Sequence, residues 1–366
     1  MGWLKKHGSQ AAFIKNIGFS LFAIIAALIV GGVILIALGF DIVSAYGNLF
    51  SGAFGNKQAF GETLNKAIPI VLTGLSYAIA RRCGLVNLGG EGQLYIGGLI
   101  SVIIGTNFAG LPSFLHVGFA LIGGFLGGAL WGMIVSALKI KFGANELIVS
   151  IMLNHIAVQV ISYFVTGPIR QWDAPGNFPQ SAMVLESAEL ARIWPGTRLH
   201  AGLFIAVAAL LFYYIFLNHT TKGYELRVTG HNRTASAYAG IQSSRLTMLT
   251  MFLAGGFAGL GGAVEILGLQ HRVIEKFSMN FGFDGVAVAL LGNTTAPGIG
   301  IASVLMATLR SGANKMEMIS GVPNGIIYTI QGLVIFFVIS RELFHWKRKN
   351  GLKLAKTTNS KREVAK

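Results

Sequence analysis

From Ile17 to Phe40 the chain runs 24 residues without a charge. As a helix rising 1.5 Å per residue this stretch extends roughly 36 Å, enough to cross the hydrocarbon of a bilayer. It is longer than the ~7–15 residues of a signal-peptide core and no clear small-x-small site follows it, so it predicts an uncleaved first span. Further apolar segments recur at 67–80, 117–138, 145–166, 201–217, 246–269 and 322–340. With 53% hydrophobic and only 12% charged residues, the chain holds more apolar surface than one soluble core encloses. The expected fold class is therefore an all-α polytopic membrane protein, since a helix satisfies its backbone polar groups within the segment that lies in lipid.

Charge then orients the spans. Lys5, Lys6, Lys15, Arg81, Arg82, Lys139, Lys141, the polar island 222–245 and the tail from Arg341 fall on one side, which collects 20 of the 29 Lys and Arg. The other side carries nine basic residues and, with Glu265 and Asp284, nine acidic ones. The formal charge of +15 thus obeys the positive-inside rule and does not call for nucleic acid. The expected layout is a cytoplasmic N-terminus (1–16), one transmembrane domain (17–340) and a basic cytoplasmic tail (341–366) drawn to anionic lipid. Within the domain, 167–200 reads as an external loop with Trp172 and Trp194 as interfacial anchors, and 218–246 as a cytoplasmic one. Asp41 to Lys66 reads as an outer loop, and Pro69 as the entry to a second span, Ala67 to Ala80. An odd number of crossings must fit between Leu269 and Arg341. Ten spans result if Val286–Leu291, Gly298–Leu309 and Val322–Ser340 all cross, the preferred count; eight result if the first two form a re-entrant hairpin.

Polar residues inside apolar segments are the candidates for a solute route. GLVNLGGEGQLYIGG, residues 84–98, is too glycine-rich to begin as an ordinary helix, and broken backbone at membrane depth needs protein or a water-filled cavity around it. Asn87, Glu91 and Gln93 are thus either lining groups or caps of a broken helix. Along the fifth span His155, Gln159, Ser162 and Thr166 follow i, i+4, i+7, i+11, a polar stripe expected to face the bundle interior. Asn154 and His155 either line the route or bond a neighbouring helix, and Asn293 sits in an unwound polar link, 292–295. Asp284 reads as a cap for a short helix. Gly123, Gly124, Gly127, Gly128 and Gly132 recur along one helix and predict a close-packing seam.

Resident chemistry is not expected. No GxxxxGK[ST] loop occurs; the nearest approach, Gly351 to Thr357, has Ala355 in place of the second glycine. The eight histidines lack metal-ligand spacing, a single cysteine, Cys83, excludes a disulfide framework, and no nucleophile has a base beside it. Catalytic residues, metals and cofactors are therefore expected to be absent.

Five blocks, GLVNLGGEGQLYIGG, NELIVSIMLNHIA, GYELRVTGHNRTASAYAGI, GFDGVAVALLGN and LRSGAN, resemble the membrane permease subunit of an ATP-binding cassette importer. The likeness is to the branched-chain amino acid and simple-sugar permease superfamily and, within it, the nucleoside-type permeases. It covers about residues 67–340. It implies a second permease subunit, related or identical, two ATPase subunits that bind the ATP, an extracytoplasmic solute-binding protein and a small polar solute. It also places ATPase coupling on Gly230, Asn232, Ala235, Tyr238, Ala239 and Gly240, in a short helix from about Thr234 to Tyr238 closed by Gly240. Arg233 stands where the family commonly has proline. Simple sugars are the alternative cargo, and an ion-coupled secondary transporter or a membrane enzyme the alternative class.

Overall fold

The computed structural model describes residues 25–173, 176, 178–323, 325, 326, 328–333, 336 and 337. The expected N-terminal segment 1–16, the start of the first span and the tail 341–366 lie outside the described residues. The chain divides into two compact units, Met1–Leu49 with Ala313–Lys366, and Phe50–Gly312.

In the smaller unit, helix α1 covers Ile25–Ala37. Asp41 then starts α2 (Ile42–Phe54), its carboxylate accepting from the amides of Val43 and Ser44 at 3.1 and 3.0 Å. Asn48 Nδ2 donates to Ser320 Oγ at 2.9 Å.

The larger unit is built on α3 (Lys57–Arg82) and α10 (Ser243–Glu265), which continues as a π-helical turn, Ile266–Gln270. Around them stand α4 (Gly90–Asn107), α5 (Ser113–Phe142), α6 (Glu146–Thr166) and α7 (Gly202–His219). Among the described residues, α3, α5, α6, α7 and α10 through Gln270 are each long and apolar enough to cross a membrane. The first span of these starts earlier than expected. Asn56 caps α3 by accepting the Ala59 amide at 2.7 Å, so the expected loop 41–66 is instead α2 and the first turns of α3. Pro69 lies inside this helix, with the Thr73 hydroxyl bonding its carbonyl at 2.9 Å. Surrounding helices bury the site, which is how a membrane helix tolerates an internal proline.

Glycine decides where the helices approach. A methyl on Gly128 of α5 would collide with the Gly255 carbonyl and Gly259 Cα of α10, and one on Gly97 of α4 with the Gly259 backbone. Three helices thus meet backbone to backbone at one level, as the expected seam requires. The α6 stripe behaves otherwise. Ser150, Leu153, Asn154, Ala157, Ile161 and Val165 form the buried face, whereas His155, Gln159 and Thr166 are exposed and Ser162, half-buried, donates to Glu275. The expectation that the stripe points into this chain's own bundle is corrected. Asn154 takes the inward position because its carboxamide bonds the backbone of α4, and the helical period then turns the stripe outward.

Between α7 and α10 the polar island folds as α8 (Thr221–His231) and α9 (Arg233–Tyr238). Thr220 caps α8 and Asn232 caps α9, each side chain accepting an amide at 3.0 Å. Arg233 opens α9 where proline was the family habit, because Asn232 supplies the start signal. Gly240, at φ +77°, closes the segment in the left-handed region.

Past α10 the chain returns as α11 (Phe281–Leu291) and α12 (Ala296–Ser320). α11 runs parallel to the second half of α3: Thr73 Oγ1 donates to the Phe281 carbonyl at 2.8 Å and Arg82 Nη2 to the Thr294 carbonyl at 3.1 Å. α12 extends well past the expected Leu309, because Arg310 has a buried partner.

Candidate functional site

Two places converge polar groups. The first is the break before α4. Asn87 Nδ2 donates to Ser76 Oγ and Gln93 Oε1, both at 3.0 Å, while its Oδ1 accepts the Gly89 amide at 3.0 Å and Gln93 Nε2 at 3.1 Å. From α6, Asn154 Oδ1 accepts the Gly92 amide and Nδ2 donates to the Leu88 carbonyl, both at 2.8 Å. Asn87, Gln93 and Asn154 are therefore brought together, and their hydrogen bonds hold the irregular backbone in place. Glu91 points elsewhere: its Oε2 accepts the Gly282 amide at 2.7 Å, a carboxylate set at the N-terminus of α11. His155 and Asn293 are not part of this group. Both are exposed, and Asn293 lies beyond α11 with φ +49°.

Arg310 is a buried charge that the sequence does not single out. Its Nε is 2.7 Å from Asp284 Oδ2, its guanidinium lies 4.9 Å from the centre of the Phe281 ring, and it donates to the Met279 carbonyl. Asp284, expected as a plain cap, instead sits in the first turn of α11 as the buried partner of this charge. Removing one member of such a pair costs about 3–5 kcal/mol, because the other is left charged and buried. The available signal is an arginine directly after the apolar run 298–309.

The second place is the α8–α9 surface. In α9 only Ser236 is buried, its hydroxyl donating to the Arg233 carbonyl at 2.8 Å. Gly230, Asn232, Ala235, Tyr238, Ala239 and Gly240 are all exposed, Tyr238 at 91%. A methyl on Gly230 would strike the Arg82 carbonyl, so α8 rests directly on the end of α3. That end is in turn tied to the joint between α11 and α12: the Thr294 carbonyl accepts from Arg82 Nη2 at 3.1 Å and from Tyr213 Oη at 2.8 Å. Beside α9 lies a cleft of about 600 Å³ whose lining includes Lys222, Gly240, Arg245 and Leu249. A small-residue surface flanked by an exposed aromatic ring and a cleft is suited to holding a protein partner. Contacts run unbroken from it to α11, whose far end meets Glu91.

Among the described residues, no group of three or more histidine, cysteine or acidic side chains is placed to hold a metal.

Residues 59–339 match the family described as branched-chain amino acid transport system / permease component. The chain is 39% identical over 322 residues to the guanosine ABC transporter permease protein NupP of Bacillus subtilis, an alignment covering 87% of this chain and 92% of that protein. It is 35% identical over 337 residues to the glucose ABC transporter permease protein TsgB13 of Haloferax volcanii, covering 89% and 88%. It is 33% identical over 354 residues to the nucleoside ABC transporter permease protein NupB of Lactococcus lactis, covering 94% and 97%. No solved structure matches the chain.

Proposed function

Because this chain belongs to the family of permease components of branched-chain amino acid transport systems, we propose that it forms the membrane passage of an ATP-driven importer for nucleosides. The observation that carries the reading is the exposed α8–α9 surface, seated on Arg82 and presenting Tyr238 to a partner. An ATPase subunit binds there, and ATP is hydrolysed in that subunit. Rigid-body movement of α8 and α9 passes through Arg82, Thr294 and α11 toward the broken start of α4.

The polar stripe on α6 supports a paired assembly. Residues such as His155 and Gln159 are costly against lipid and are found facing protein or water. Two permease subunits, identical or related, meet across these stripes, and the solute passes between them. A binding protein delivers solute at the opposite end. Both termini are cytoplasmic, which accords with 20 of 29 basic residues on that side. Nucleosides are favoured by two of the three relatives described above, whose names carry guanosine and nucleoside transport. The glucose permease favours simple sugars as the second reading.

Reconstitution tests the class. Proteoliposomes with the complete transporter, binding protein and internal-facing ATP are expected to accumulate labelled guanosine, and those holding this chain alone under a proton or sodium gradient are not. Concentrative uptake by the chain alone identifies an ion-coupled transporter instead.

A further inference from the structure

The end of α3 remote from α9 carries a surface that the proposed route leaves unused. The 26 residues of α3 separate the two by about 39 Å. Residues 192–200 form a tight hairpin there: Arg192 and His200 pair as an antiparallel bridge, and the Ile193 amide donates to the Leu199 carbonyl at 2.9 Å. The hairpin is fastened to the first turn of α3. Lys57 Nζ donates to the Pro195 carbonyl at 2.5 Å and stands 5.3 Å from the centre of the Trp194 ring, which Phe60 meets edge-on at 6.2 Å. Between hairpin and helix opens a cleft of about 450 Å³. Arg192 and Arg198 are exposed at its edge; Arg198 keeps 64% of its side chain accessible even with Glu62 at 3.9 Å.

Three cations, Lys57, Arg192 and Arg198, thus gather against one carboxylate. Topology gives no reason for them, since the positive-inside rule places surplus cations on the other face, and without this cluster the face expected to be external carries six basic and eight acidic side chains. The field is felt nearby. His271 is held below the ordinary histidine range, first by burial and then, against the pull of Glu189, by Arg192, Arg198 and Arg272. A rigid hairpin also loses little freedom on binding, and arginine and tryptophan are the residues that most often anchor protein interfaces.

We propose that the Arg192–Arg198 hairpin, with the first turn of α3, docks an acidic face of the extracytoplasmic solute-binding protein. This rests on the importer reading. Anionic lipid is the weaker occupant, because the cleft places the Glu62 carboxylate beside the arginines, where it repels a phosphate headgroup, and offers only Trp194 and Pro195 as apolar lining.

The test titrates the dye-labelled, soluble form of the binding protein encoded beside this permease onto the complete transporter in nanodiscs of neutral phosphatidylcholine. Wild type is expected to bind with an affinity that falls as salt rises, and the double variant R192E/R198E at least tenfold more weakly. Lysine replacements on the binding protein's acidic face should recover part of the loss. Both arginines are exposed, so the variant should elute as a single species with unchanged basal ATPase. If wild type and variant bind alike, the docking surface is wrong and the importer reading stands. A deficit seen only in anionic nanodiscs assigns the surface to lipid and overturns the proposal. If wild type never binds, the importer reading fails and takes the proposal with it.

Discussion

Leucine at Gly259 is expected to abolish accumulation of folded permease, and leucine at Gly128 to do the same. A single methyl on Gly259 already meets the Gly124 carbonyl and comes within 2.8 Å of Gly128 Cα. Those are backbone atoms of a neighbouring helix and have no rotamer to escape into. Overpacking a core by side-chain atoms costs about 1–3 kcal/mol; forcing apart α4, α5 and α10 at their common contact costs more, against a total stability of about 5–15 kcal/mol. Alanine at Gly259 should give an intermediate loss of melting temperature. Gly118, also on α5, has no heavy atom within 4 Å of its missing Cβ, so Gly118→Leu should elute and melt like wild type. Size-exclusion profiles and melting curves in detergent decide this, and a Gly259→Leu protein as stable as wild type would disprove the seam.

Ala235→Trp is expected to leave insertion and melting unchanged while reducing uptake at least tenfold and ending solute-stimulated ATP hydrolysis. Ala235 is exposed on α9, so the added ring meets solvent in the isolated chain and, on the proposed function, the ATPase subunit in the complex. Truncating or blocking a central interface position commonly costs more than about 2 kcal/mol of binding. Gly240→Leu should act in the same direction with an added backbone penalty, since φ +77° disfavours any residue with a Cβ. Normal uptake and normal ATPase stimulation in both variants would remove α9 from the coupling surface.

Much of this architecture was legible in the sequence, because the features that carry it are local. Uncharged runs located the membrane helices, and glycines recurring four apart located the seam where α5 meets α10. The small helix closed by Gly240 follows from the family resemblance and from that glycine, whereas its cap, Asn232, is a finding of the structure. Two kinds of feature are harder to read in the sequence: short-range caps within a glycine-containing stretch, and charges whose partners lie on another helix. Asp41 and Asn56 turned an expected loop into two helices, because each caps a helix start inside a stretch that glycine made look irregular. Arg310 reads as the end of a span at Leu309, but Asp284 on α11 is its counter-charge and the helix continues. The α6 stripe illustrates a different limit: periodicity puts residues on one face but does not say what that face meets. Asn154, adjacent to the stripe, was the residue that turned inward.

On the proposed function, a separate ATPase subunit applies force at α9. The direct measurement is disulfide crosslinking of Tyr238→Cys, in the complete transporter, to single cysteines around the permease-facing groove of the ATPase subunit. Native Cys83 is buried and its thiol is pushed up by that burial, so the introduced thiol is the reactive one. A permease–ATPase adduct is expected, with a yield that changes when ATP is added. No adduct at any groove position, or labelling of Cys at position 238 from outside intact cells, would contradict it.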